Sequence, residues 1–143
     1  MQTFLPCPSF KASAITLDRQ RLGKQRVETL QILRALDDPY YGWQNHPATQ
    51  MWRGYQEALV RYGVAICTEW ISRGYKDNCM DQIVMFSEHH KCEMPWWFGY
   101  EDFHRSHRSN LLRKNPEWYS KFFGDPPDLP YIWPTKDMER ELA

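Results

Sequence analysis

With 143 residues, 18 Lys+Arg and 18 Asp+Glu, the chain has the length of one domain and no net charge, which excludes a polycation or an acidic tail protein. No apolar run approaches the roughly 20 residues of a membrane span, and Met-Gln-Thr-Phe-Leu-Pro lacks the charged and apolar regions of a secretory signal. Four cysteines without a Cys-x-x-Cys pair predict reduced thiols in a cytoplasmic protein, and with no net charge any nucleic-acid binding must come from local segregation of charge.

Residues 1–15 are expected to be extended or irregular, because Pro6 and Pro8 stand against an early helix. A first helix is predicted from about Asp18 to Leu36. Leu22, Leu30 and Leu33 recur at helical spacing, Asp18 or Thr16 can cap the start, and Asp37-Asp38-Pro39 stops it. On this helix Arg21, Lys24, Gln25 and Glu28 share one face, so a single carboxylate stands among cations. Such a face suits phosphate, and its carboxylate either organises an anion site or acts on a substrate that the cations bring in. The plainer reading is a solvated face with an ion pair such as Lys24 to Glu28. Arg19 and Arg26 fall on the leucine face, where they must snorkel, pair with a buried acid, or meet a ligand.

An aromatic loop, residues 40–47, follows and carries Asn45 and His46. Pro47 opens a second helix whose Met51, Tyr55, Ala58, Leu59, Tyr62, Ile66 and Trp70 step at three- and four-residue spacing to Arg73-Gly74. Within it, Gly54 and Gly63 mark close packing or a break. A shorter third helix is predicted for Asp77 to Ser87, a loop for Met94 to Tyr100, and a fourth helix for Glu101 to Lys114. Asn115-Pro116 caps a last short helix, Glu117 to Phe123, and from Gly124 a proline-rich tail is expected to pack extended along the surface. No segment alternates as a strand does. The expectation is one all-α domain over residues 1–143, with four to five helices.

Two further clusters carry chemistry. From Phe103 to Asn115 stand Arg105, Arg108, Arg113 and Lys114 with no acid, leading into Trp118, Tyr119, Lys121, Phe122 and Phe123. Cations interleaved with rings suit a nucleic-acid backbone and an unstacked base; the alternative is a solvated helix whose rings are core. His89, His90, Cys92, His104 and His107 give HxxC, eleven residues, then HxxH, which has the ligand types and spacing of a small zinc site. A core of this size needs no structural metal, so no metal or other cofactor is expected.

Three stretches, in order, resemble the pyrimidine-dimer DNA glycosylases of the phage endonuclease V type. Arg21, Leu22 and Glu28 resemble that family's first-helix motif, which carries its catalytic Glu. Glu69 and Ile71-Ser-Arg-Gly-Tyr-Lys-Asp77 are similar to its central helix and the turn that ends it. Lys114-Asn-Pro-Glu-Trp-Tyr-Ser-Lys-Phe-Phe-Gly124 is similar to its C-terminal segment at the DNA. The resemblance implies a small all-α enzyme, bacterial or phage-encoded and monomeric, acting on duplex DNA without a cofactor. It would cleave the N-glycosidic bond of a damaged or modified pyrimidine and then nick the strand by β-elimination.

In that reading the N-terminal α-amine attacks the sugar C1′ to form a Schiff base, and Glu28 stabilises the cationic sugar and handles protons. An α-amine titrates near about 8 and so is partly neutral at working pH. Catalysis would fall to Glu28 and Met1. DNA binding would fall to Arg21, Lys24, Arg26 and His46 on one side, and to Arg105, Arg108, Arg113, Lys114, Trp118, Tyr119 and Lys121 on the other. The chain departs from the family pattern at two places. Gln2 follows Met1 where a small hydroxyl residue is expected, and methionine is usually retained before so large a side chain. Val27 stands where the family has Arg. The nucleophile is then the Met1 amine, or Lys24, or a water activated by Glu28. A non-catalytic DNA-binding module and a zinc-stabilised interaction protein are the alternatives.

Overall fold

The computed structural model describes residues 1–89 and 91–143, and among them eight helices and no strand. The helices are α1 (Phe10–Thr16), α2 (Arg19–Asp37), α3 (Pro47–Trp52), α4 (Gln56–Ser72), α5 (Met80–Val84), α6 (Glu101–Lys114), α7 (Pro116–Tyr119) and α8 (Lys136–Leu142). None is long and apolar enough to cross a membrane. The all-α class agrees with the sequence reading, whereas the number of helices exceeds the four to five expected.

The differences have local causes. Pro8 does not prevent α1, because Ser9 directly after it is an extended N-cap whose hydroxyl accepts the Ala12 N–H at 3.1 Å. The single helix expected from Pro47 to Arg73 is broken into α3 and α4 at Gly54, which takes φ +92°. Asp77 lies ahead of α5 rather than inside it, and its carboxylate accepts the Met80 N–H at 2.8 Å. After α7 the chain runs without helix to Thr135, then closes with α8, none of whose residues is buried.

The core is one cluster running from Phe4 to Tyr119, with Tyr131 and Trp133 packed against it. The packing of α2 on α4 and α5 is its centre. Gly63 allows it: a Cβ there would meet Thr29 Cγ2 at 2.8 Å and Ile83 Cγ2 at 3.0 Å. The loop from Met94 to Tyr100 is part of this core. Trp97 is fully buried edge-on to Trp52, and its indole N–H donates to the Met51 carbonyl at 3.1 Å.

Residues 2–6 run through the middle of the molecule, and almost every backbone group there is pinned. The Phe4 N–H donates to Gln25 Oε1 at 2.9 Å, and the Phe4 carbonyl accepts from Tyr62 Oη. The Leu5 N–H donates to His107 Nδ1 at 2.9 Å, and the Leu5 carbonyl contacts His104 Nδ1 at 2.7 Å. Trp52 Nε1–H donates to Thr3 Oγ1 at 2.9 Å. An extended segment without strand neighbours must satisfy its backbone through side chains, and buried Gln25, Tyr62, His104 and His107 do so here.

Candidate active site

This pinned segment delivers residue 1 to α2. The Gln2 N–H donates to Glu28 Oε2 at 3.1 Å, and Gln25 Nε2 donates both to the Gln2 carbonyl at 2.8 Å and to Glu28 Oε2 at 3.0 Å. Gln25 is buried and hydrogen-bonds at both ends of its amide, since its Oε1 also accepts from Tyr62 Oη at 2.6 Å. One side chain therefore fixes both the register of the N-terminal segment and the orientation of the carboxylate.

Met1 and Glu28 line one cavity of about 280 Å³, with Arg21, Lys24, Lys114, Tyr131 and Trp133 on its walls. A shallower groove of about 920 Å³ adjoins it, sharing Gln20, Lys24 and Glu28 and walled by Trp70, Trp118 and the exposed Val27. Glu28 thus stands on the ridge between the two. Among the described residues no cation lies within 4.0 Å of its carboxylate, so the expected Lys24–Glu28 pair does not form and the charge is oriented without being neutralised.

The structure brings Met1, Arg21, Lys24 and Glu28 to one cavity together with Lys114, which the sequence reading had placed on a second DNA surface, and disperses the rest of the predicted set. Tyr119 is a correction: it is fully buried, with its hydroxyl bonded to the Asp18 carboxylate and accepting the Asp18 N–H, so it presents no face to DNA. Burial and the Asp18 carboxylate push its phenol pKa far up. Arg26 lies under the Trp70 ring at 4.4 Å with Nη1 2.6 Å from Asp77 Oδ1, the buried-acid option. That ion pair holds the Asp77 carboxyl below its usual range against the burial that raises it. Arg19 rests over Tyr75.

On α6, Arg108 binds Asp125, Glu101 and the Pro6 carbonyl, and Arg113 binds the Leu129 carbonyl at 3.1 Å. Both guanidinium groups are committed to holding residues 125–129 against the helix. Arg105 is half exposed, its Nε 4.0 Å from Asp125. Trp118 lies on the groove, its indole N–H donating to the Thr16 carbonyl at 2.7 Å and Lys121 sitting over its ring.

His46 caps α3, its Nδ1 accepting the Ala48 N–H at 3.0 Å, and its ring stands edge-on to Trp43 and Trp133. Trp133 is a cavity wall, so His46 stands behind that wall and does not line the cavity itself; burial, then the Met1 amine, lower its pKa while Glu28 opposes them. The histidines of the zinc reading have other work. His104 meets the Leu5 carbonyl through Nδ1 and accepts the Gly99 N–H through Nε2, and His107 accepts the Leu5 N–H. No group of three potential ligands occurs among the described residues, and His90 lies outside them.

Sequence reasoning missed Gln2, Tyr131 and Trp133 as cavity residues. The only signal was the Tyr-Ile-Trp sequence in a tail otherwise rich in Pro and Asp.

A small all-helical protein with an oriented, un-neutralised carboxylate in a cationic depression is built as an enzyme that handles a polyanion. Residues 1–83 match the family model for pyrimidine dimer DNA glycosylase, and the chain belongs to that family. The match ends after Ile83, so α6 to α8, which bring Lys114, Trp118, Tyr131 and Trp133, lie outside it. No curated protein and no solved structure matches the chain.

Proposed function

We propose that the protein excises a damaged pyrimidine from duplex DNA as a monomer and then nicks the strand through an imine on the Met1 amine. The observation that carries this reading is the shared cavity of Met1 and Glu28, held in register by the Gln2 and Gln25 hydrogen bonds.

The nitrogen lone pair of Met1 bonds to C1′ as the C1′–N1 bond breaks, and the departing electron pair stays on the pyrimidine with the proton that the amine releases. Glu28 opposes the positive charge that develops on the sugar. The carboxylate then takes up a proton from water and gives it to O4′ as the C1′–O4′ bond opens to the iminium, the hydroxide being neutralised by solvent. The regenerated carboxylate takes the proton from C2′, and the C3′–O3′ bond breaks with its electrons on the departing phosphate. Arg21, Lys24 and Lys114 supply the phosphate contacts, and the Trp70–Trp118 groove receives the neighbouring DNA.

The test is borohydride trapping on a duplex with a single abasic site, coupled to intact-mass analysis of the N-terminus. A covalent adduct on the first residue is expected. Base release without an adduct would mean that Glu28 activates water in a hydrolytic enzyme. Binding with neither would mean a DNA-binding module on the same scaffold.

A further inference from the structure

The Gln2 side chain has an unused donor. It is only 7% exposed, and its Oε1 accepts the Thr3 N–H at 2.9 Å, which leaves the amide nitrogen on the other edge of the group. Because a backbone N–H can be met only by the oxygen, this orientation is fixed. Nε2 is buried and completes no hydrogen bond, although it approaches the Tyr131 hydroxyl closely enough to oppose the burial that raises that phenol's pKa. Leaving such a donor unmet forfeits the hydrogen bond it makes to water in the unfolded chain, which a partner that arrives with the substrate would recover.

Gln2 lines the cavity of Met1 and Glu28, and its own backbone N–H holds that carboxylate. The donor therefore sits one residue from the proposed nucleophile. On the same walls Lys24 and Lys114 already offer charge to phosphate oxygens, while Arg21 is bonded to Asp18 at 3.1 Å. A neutral donor at the buried end, by contrast, fits an uncharged carbonyl that gains charge only as the reaction proceeds. On a pyrimidine that carbonyl is O2, attached to the carbon next to N1.

We propose that the Gln2 carboxamide donates to the O2 carbonyl of the departing pyrimidine and stabilises it as a leaving group. When the C1′–N1 bond breaks, its electron pair spreads from N1 through C2 onto O2, and the hydrogen bond strengthens as that charge develops. The proton released by the attacking amine then neutralises the base. The substrate class is accordingly a pyrimidine that keeps its C2 carbonyl, free or joined to a neighbour through its other ring edge.

The inference rests on the glycosylase reading, and the experiment separates the two. Gln2→Met removes the donor at similar length, and Gln2→Glu keeps an acceptor for the Thr3 N–H while also removing the donor. Both side chains are large enough to retain Met1, which intact mass verifies. Each protein is assayed on a duplex containing a pyrimidine dimer, for glycosidic scission read as base release after photoreversal of the dimer, and on a preformed abasic duplex, for borohydride trapping, where no base departs. Expected is a fall in base release on the order of 10²-fold, with the ratio of base release to trapping falling equally. Unchanged base release in both variants, or a parallel loss of both activities, overturns the leaving-group role; the parallel loss makes Gln2 a support for Met1. A wild-type protein that neither releases base nor traps overturns the functional reading itself.

Discussion

Two N–H groups, from the Gln2 backbone and the Gln25 carboxamide, converge on Glu28 Oε2, and no cation pairs with the carboxylate among the described residues. Orientation and charge at this residue therefore come from different sources and can be separated. Glu28→Gln keeps volume and an acceptor oxygen for those donors but removes the charge that opposes a cationic sugar. Base release should fall by about 10²–10⁴-fold, the usual range for a group that transfers protons and meets developing charge. Duplex affinity should hold, because in the proposed reading the phosphate contacts fall to the cavity-wall cations Lys24 and Lys114 rather than to the carboxylate. Single-turnover base release beside a binding titration measures both, and full activity in the variant would remove Glu28 from the chemistry. That Arg21, Lys24 and Glu28 share one face was legible in sequence from the spacing of the first helix. Gln2 was not, because its importance arises from a contact to a residue 26 positions away and from a phenol 129 positions further on.

Among the elements, α6 decides how firmly residue 1 is presented, through His104 and His107 and their bonds to Leu5. Complete burial lowers the His107 pKa from 6.5 to about 3, with His104 adding to the effect, and burial lowers His104 as well. Below about pH 6.5 the unfolded chain takes up protons that the folded one refuses, so stability is fully present above that pH and is lost as pH falls toward 3. Each histidine contributes a slope of up to about 1.4 kcal/mol per pH unit. Urea midpoints measured at pH 7, 6, 5 and 4.5 should decline steadily, and a flat profile would mean that the imidazoles accept protons without breaking the Leu5 contacts.

The α2–α4–α5 contact makes a second demand on one residue. Gly63→Ala puts a methyl 2.8 Å from the β-branched, buried Thr29, at a cost of about 1–3 kcal/mol that the gain of up to about 1 kcal/mol in helix propensity does not cover. Thermal melting should therefore drop by a few degrees; an unchanged or raised Tm would show that α2 and α5 can move apart freely. Helix α2 was readable because its leucines repeat and its stop is explicit. Helix α1 was not, since Pro8 masked a good serine cap, and α8 buries nothing that would leave a periodic trace.

For the whole molecule, zero net charge means that DNA affinity depends on which cations remain available once the fold has used the others. The sequence offered a run of basic residues from Arg105 to Lys114 as one DNA surface. In the structure Arg108 and Arg113 are spent on Asp125, Glu101 and backbone carbonyls of residues 6, 127 and 129, while Lys114 opens onto the Met1–Glu28 cavity. Periodicity could not separate them, because their partners come from segments distant in sequence. Binding should still weaken steeply with salt, by about 0.9 in the log–log slope for each phosphate neutralised. Lys114→Ala should take away about one such increment and leave the melting temperature nearly unchanged. Arg113→Ala should do the reverse, taking the donor from the Pro127 carbonyl and leaving the Leu129 carbonyl to Asn110 alone, which lowers stability while the salt slope stays put. Duplex binding across a salt series, run with a melting curve for each variant, distinguishes the two. If Arg113→Ala reduces the slope instead, its guanidinium leaves the tail when DNA arrives, and residues 125–129 must then move in the complex.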